Sequence, residues 1–173
     1  MMKRQIISLF ICLMGLSASA GILTDIFYTV ENIADNQWRY DYTVSNHVLA
    51  DGIGQFTIWF DYTQYESIQI ASDTALDTDW DQIVWQPNET LLNNGGFDAL
   101  ALITPIDVDE TISGFSVSFI WNGPDEPGRQ FYEIVNPDNP SEVLDSGFTV
   151  LIPEPFSIGL MIVGMCFLKK WSQ

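Results

Sequence analysis

The tightest constraint on the fold of this chain is a hydrophobic pattern of period two. Phe115, Val117, Phe119 and Trp121 alternate with Ser116 and Ser118. Trp38, Tyr40, Tyr42 and Val44 alternate with Arg39, Asp41 and Thr43. Phe56, Ile58, Phe60 and Tyr62 do the same against Gln55, Thr57 and Asp61. Successive side chains of a strand point to opposite faces, so each run predicts a strand with one buried face and one wet face. Shorter strands are predicted over residues 26–30, 66–71, 81–85, 99–103, 131–135 and 147–151. Between them lie clusters of Asn, Asp, Gly and Pro, at 45–47, 51–52, 93–96, 122–124, 126–128 and 136–140, which mark turns. No stretch of the domain sustains a helical period. Eight or nine short strands at this spacing predict an all-β domain over residues 21–150, an antiparallel β-sandwich of immunoglobulin-like or jelly-roll type. The pattern does not choose between these topologies.

The chain can fill such a core. Its residues are 47% hydrophobic and 13% aromatic, and only 17% are charged. The two cysteines, Cys12 and Cys166, lie near the two ends, so the domain has no disulfide, no thiolate zinc site and no thiol nucleophile. The net charge is −17 and unevenly placed. Between residues 21 and 150 only Arg39 and Arg129 are basic, against 22 acidic side chains. Such a surface repels phosphate backbones and argues against nucleic acid as a partner.

The N-terminus reads as a secretory signal peptide over residues 1–20. Lys3 and Arg4 form its basic start, and residues 6–16 its apolar stretch. Ala18 and Ala20 present small side chains to a signal peptidase, which predicts cleavage between Ala20 and Gly21. Eleven apolar residues are short for a span that needs about 20. Cys12 lies inside that stretch and not at its end, where lipid attachment would need it.

The C-terminus, residues 151–173, has its own order. Pro153, Glu154 and Pro155 come first, then 13 largely apolar residues, 156–168, then Lys169, Lys170 and Trp171. As a helix the apolar run measures about 20 Å against a hydrocarbon core of about 30 Å, a gap that snorkelling lysines and an interfacial Trp171 narrow. The expectation is a short transmembrane helix. Both basic ends would stay cytoplasmic, leaving residues 21–150 outside. Two prolines around Glu154 keep the backbone extended and deny it helix, so Glu154 would stand accessible just outside the membrane.

This arrangement resembles the PEP-CTERM sorting signal of Gram-negative bacteria. The resemblance implies that Pro153, Glu154 and Pro155 are the sorting motif recognised by a membrane enzyme, an exosortase. It makes residues 156–168 the anchor and Lys169 and Lys170 the stop signal. It implies a protein transiently held in the membrane and then delivered to the cell surface or an extracellular polysaccharide matrix. Phe56-Thr-Ile-Trp-Phe-Asp61, Trp80-Asp-Gln-Ile-Val84, Gly96-Phe-Asp-Ala-Leu100, Ser113-Gly-Phe-Ser-Val-Ser-Phe119 and Gly128-Arg-Gln-Phe-Tyr-Glu133 also resemble the single extracellular domain of other PEP-CTERM proteins. That likeness implies fold and location, not an activity.

Within the domain, the candidates for chemistry are few. Asp77, Asp79 and Asp81 put three carboxylates at alternate positions, the oxygen donors calcium prefers. An EF-hand loop would need Gly at its sixth and Glu at its twelfth position, where this chain has Gln82 and Asn88. Asp107, Asp109 and Glu110 form a second acidic group. His47, the only histidine, follows Ser45 and Asn46 in a turn, with no sign of the orienting acid a triad needs. Paired carboxylates for glycoside hydrolysis are not singled out among so many acids. Five tryptophans fall in the domain: Trp38, Trp59, Trp80, Trp85 and Trp121. Trp59 has the opposite parity to Phe56, Ile58 and Phe60, so it either packs a second buried face or stands exposed where an indole can stack on a sugar. The expectation is a non-enzymatic surface or matrix protein without a cofactor. A carbohydrate- or calcium-binding adhesion module is the first alternative, and a glycoside hydrolase the second.

Overall fold

The computed structural model describes residues 23–152. The predicted signal peptide with Ala18, Ala20 and Gly21, the predicted sorting motif Pro153, Glu154 and Pro155, the predicted helix over 156–168, and Lys169 and Lys170 all lie outside the described residues.

Ten strands form two sheets. They are β1 (Thr24–Ala34), β2 (Gln37–Asn46), β3 (Gln55–Phe60), β4 (Tyr65–Ile70), β5 (Trp80–Trp85), β6 (Gly95–Ala101), β7 (Thr111–Trp121), β8 (Phe131–Asn136), β9 (Asn139–Phe148) and β10 (Val150–Leu151). The first sheet has the order β10-β1-β2-β7-β4, and the second β5-β6-β3-β8-β9. The two pack face to face as a sandwich. Every pairing is antiparallel except β1 with β10, which run parallel at Phe27 and Tyr28. That short pair is the one exception in an otherwise antiparallel sandwich. Among the described residues the one helical element is a 3₁₀ turn, Thr74–Thr78, and no helix is long and apolar enough to cross a membrane.

The alternating runs bury the faces their parity predicts. Tyr40, Tyr42 and Val44 of β2, Phe56, Ile58 and Phe60 of β3, and Phe115, Val117 and Phe119 of β7 are all buried in one core. The rings meet edge to face or stacked: Phe56 on Phe115 at 5.0 Å, Trp80 on Phe115 at 5.2 Å, and Tyr40 on Phe119 at 4.7 Å. Each such side chain contributes about 1.5–3 kcal/mol by leaving water, which is how the core holds without a covalent staple. Its tyrosines are also satisfied. Tyr40 donates to Gly128 O at 2.8 Å, Tyr42 to Gln130 Oε1 at 3.1 Å, and Tyr132 to Thr24 O at 2.8 Å. Burial pushes the hydroxyls of Tyr28, Tyr40, Tyr42, Tyr65 and Tyr132 above the ordinary phenol value.

Four strands differ from the sequence expectation. The whole of β9 was absent from it except its last two residues, because this edge strand is largely exposed and its sequence does not alternate cleanly. Gly95 and Gly96, read as part of a turn, belong to β6, which ends at Ala101 and not at 103. β1 and β2 extend to a tight hairpin at Asp35 and Asn36, with Asp35 at φ 44°, a left-handed conformation that aspartate tolerates.

Candidate functional site

The outer face of the second sheet carries a row of aromatic side chains. In an antiparallel ladder, residues directly opposite share a face. The register pairs Trp85 with Gly96, Gly96 with Trp59, Trp59 with Phe131, and Phe131 with Phe148. One line across all five strands therefore reads Trp85, Gly96, Trp59, Phe131, Phe148. Gly96 is required in its place. A Cβ there would sit 2.3 Å from Cζ2 of Trp85, so only glycine lets that indole lie across the strand and meet Trp59 at 5.6 Å. Phe131 and Phe148 meet edge to face at 5.6 Å and remain 37% and 52% exposed.

The next line along the strands is Ile83, Asp98, Thr57, Glu133 and Ser146. It braces the aromatic one. Glu133 accepts a hydrogen bond from Trp59 Nε1 at 2.9 Å, which fixes the indole in its plane. Asp98, only 7% exposed, accepts from Thr57 Oγ1 at 2.7 Å and from Gln55 Nε2 at 2.9 Å. A carboxylate this covered persists because donors replace its lost water.

Beside Trp59 and Phe131 the surface deepens into a cleft of about 830 Å³. One wall is the 122–130 loop that joins β7 to β8, and Trp121 stands at its start. Trp121 Nε1 donates to Asp125 O within the loop. Tyr40 holds the same loop from beneath through Gly128 O, and Gln130, 3% exposed, ties it to Thr149 between β9 and β10. The indole N–H groups of Trp59 and Trp121 are thus both engaged within the protein, and what the rings offer to a ligand is their faces and edges. Asp61, Asp125, Glu126 and Glu133 also line the cleft, against a single basic residue, Arg129. That guanidinium lies 4.6 Å above the centroid of the Phe148 ring.

The cleft brings aromatic rings, carboxylates and amides to one surface. Glu133 Oε2 accepts from Trp59, and Asp61 Oδ1 accepts from Thr63 N and Oγ1 at 2.8 and 2.7 Å in the turn that follows it, which leaves each carboxylate an oxygen for a ligand.

The other sequence candidates fall elsewhere. Asp77 lies in the 3₁₀ turn, Asp79 caps it, and Asp81 starts outward on β5 opposite Leu100. All three are exposed, and among the described residues no three acidic or histidine side chains gather where a metal ion could be held. Asp107, Asp109 and Glu110 form a tight turn before β7, with Asp109 at φ 65°. His47 Nε2 is 2.9 Å from Asp25 Oδ2 at the surface, whereas Ser45 Oγ turns to Thr111 Oγ1 at 2.8 Å. No triad forms. Of the domain tryptophans, Trp80 is 2% exposed in the core, and Trp38, Trp59, Trp85 and Trp121 are half-buried. Sequence parity flagged Trp59. It did not flag Phe131, Phe148 or Arg129, whose place beside Trp59 depends on which strands pair.

No family model matches the chain, and no curated protein matches it in sequence. Among solved structures, it is similar to part of a GH20 exo-β-N-acetylglucosaminidase from Vibrio harveyi, determined in complex with N-acetylglucosamine. The identity is 13% and the TM-score 0.38, over 76% of this chain and 18% of that one. A chain of the CaDoc0917–CaCohA2 complex is similar at 15% identity and a TM-score of 0.36, over 73% of this chain and 99% of that one. This chain therefore spans 18% of the length of the glucosaminidase it resembles.

Proposed function

We propose that this is an exported, non-enzymatic glycan-binding protein of the cell surface or extracellular matrix. The observation that supports binding is the outward aromatic row of Trp85, Trp59, Phe131 and Phe148 beside the cleft. A two-layer sandwich gains nothing in its core from aromatics on an outer face, whereas sugar rings present flat C–H faces that pack on aromatic ones. The cleft edge adds amides and carboxylates, Gln64, Asn94, Asp61 and Glu133, as partners for hydroxyl groups.

Delivery rests on the chain ends. The signal peptide over residues 1–20 would export the domain. Pro153, Glu154 and Pro155 would then present it to an exosortase-type enzyme while residues 156–168 hold it transiently in the membrane. Ile152 N bonds Tyr28 O at 2.8 Å, so the residue before the motif is held at the sheet edge.

Binding of the purified protein to polysaccharides, followed by calorimetry and by release of reducing ends, tests the first half. Saturable binding that survives a calcium chelator, without turnover, is expected. No binding to any glycan counts against it, and turnover would move the protein to the hydrolase alternative. For the second half, replacing Pro153, Glu154 and Pro155 by alanine should leave the protein in the membrane fraction. Undiminished surface delivery would refute the sorting role.

A further inference from the structure

We infer that the cleft and its aromatic row take a positively charged glycan, an amino-sugar polymer bearing free amino groups. This rests on the glycan-binding reading and narrows it. Three observations carry it.

The first is the composition of the cleft. Asp61, Asp125, Glu126 and Glu133 line it with one arginine. That arginine, stacked on Phe148, supplies one positive charge against four carboxylates. A carboxylate- or sulfate-bearing polysaccharide would meet four like charges at the place where its rings must stack.

The second is the use the protein itself makes of the row. Arg129 over Phe148 is a cation on an aromatic face, held 4.6 Å from the ring centroid. The ring quadrupole attracts any ammonium placed there in the same way. Trp59 offers another such ring two strands away, with Glu133 fixed at its edge. An ammonium arriving between them finds π-density and a carboxylate together.

The third is the surrounding field. Residues 21–150 carry 22 acidic side chains and two basic ones. Their summed potential draws polycations toward the surface and holds polyanions away, over a Debye length of about 8 Å at physiological ionic strength. Adjacent strands stand about 4.8 Å apart, close to the repeat of one sugar ring in an extended β-linked chain, so a polymer laid along the row can set successive rings against successive strands.

The test uses the full-length protein and four probes: a glucosamine oligomer with free amines, the same oligomer fully N-acetylated, a hexuronic acid oligomer, and polylysine. The free-amine oligomer should bind at least about tenfold tighter than the acetylated one, a difference of about 1.4 kcal/mol. The gap should close between about 50 mM and about 500 mM salt. It should also shrink several-fold in an Asp125→Asn, Glu126→Gln double variant, whose exposed loop positions leave the core untouched. The uronic acid oligomer should not bind, and polylysine should bind more weakly than the amino-sugar chain. Equal or tighter binding of the acetylated oligomer overturns the charge preference and leaves glycan binding standing. Binding of the uronic acid oligomer overturns the charge preference as well. Polylysine binding as tightly as the sugar shows charge attraction without sugar recognition. Failure of both glucosamine oligomers removes the amino-sugar assignment, and failure of every glycan removes the reading on which it rests.

Discussion

The two sheets of this sandwich place their aromatic side chains differently. The first sheet turns them inward: Tyr28, Tyr40, Tyr42, Tyr65, Phe115 and Phe119 all reach the core. Its outer face runs in polar lines, Glu31 with Arg39 and Ser118, then Thr29 with Asp41 and Ser116, and Phe27 stands beside them near the sheet edge. Arg39 bridges Glu31 at 2.9 Å and Asp41 at 3.2 Å. The second sheet fills its inner face with Phe56, Ile58, Phe60, Phe97, Ala99, Tyr132 and Ile134, and still carries Trp85, Trp59, Phe131 and Phe148 outside. Burial accounts for both inner faces and for neither outer one. The polar outer face needs no further explanation, since water satisfies it. The aromatic one does, and that asymmetry is what the proposed binding surface rests on.

The comparison can be broken most forcefully at the inner tyrosines. Four of the five with raised values lie on the first sheet. Below about pH 10 both folded and unfolded chains keep these protons. Above it the unfolded chain releases them while the folded chain retains them, so stability falls as pH rises, by about 1.4 kcal/mol per pH unit for each tyrosine. Denaturant titrations from pH 8 upward should show a plateau, then a steep decline, made shallower by Tyr42→Phe. A plateau that continued well past pH 11 would mean the hydroxyls are not buried as described.

A Gly96→Val change attacks the aromatic row from beneath. Its side chain would collide with Trp85, and either the indole leaves the strand or the sheet bends. A loss of about 3 kcal/mol is expected, the upper end of ordinary overpacking, together with weaker glycan binding. An unchanged melting temperature would show that Trp85 is free to move away.

Trp59→Ala tests the row directly. Removing the central indole should weaken glycan binding by about 2 kcal/mol, roughly 30-fold, as for other anchoring aromatics. Calorimetry on the folded variant reads this, and an affinity within twofold of the parent would dismiss the row as the binding surface.

Arg39→Ala, on the opposite sheet, should do least. Its ion pairs are solvent-exposed, so it should cost under about 1 kcal/mol in stability. Glycan affinity should stay the same. If it fell as far as in Trp59→Ala, the two outer faces would not differ in function.

Much of the fold was legible because parity is local. The alternation around Tyr40, Phe56 and Phe115 is carried by neighbouring residues, and each strand it predicts is present. The same parity already set Trp59 apart. β9 was not legible, since an edge strand exposed on much of its length has little to alternate against. Gly95 and Gly96 misled for a different reason. Paired glycines ordinarily mark a turn, but here Gly96 serves a close approach by Trp85. The calcium reading of Asp77, Asp79 and Asp81 depended on three oxygens converging, and spacing along the chain does not bring them together when a 3₁₀ turn and a strand divide them.

By itself, the sequence determined an acidic all-β domain, without a disulfide, and one tryptophan facing the wrong way for the core. Only the tertiary structure decided what that tryptophan stands beside. Trp85, Trp59, Phe131 and Phe148 come from four separate strands, and they line up because β5, β6, β3, β8 and β9 are neighbours in one register. Which face a residue occupies follows from its own strand. Which residues share a line across a sheet follows from backbone hydrogen bonds between distant segments, and no local pattern encodes those.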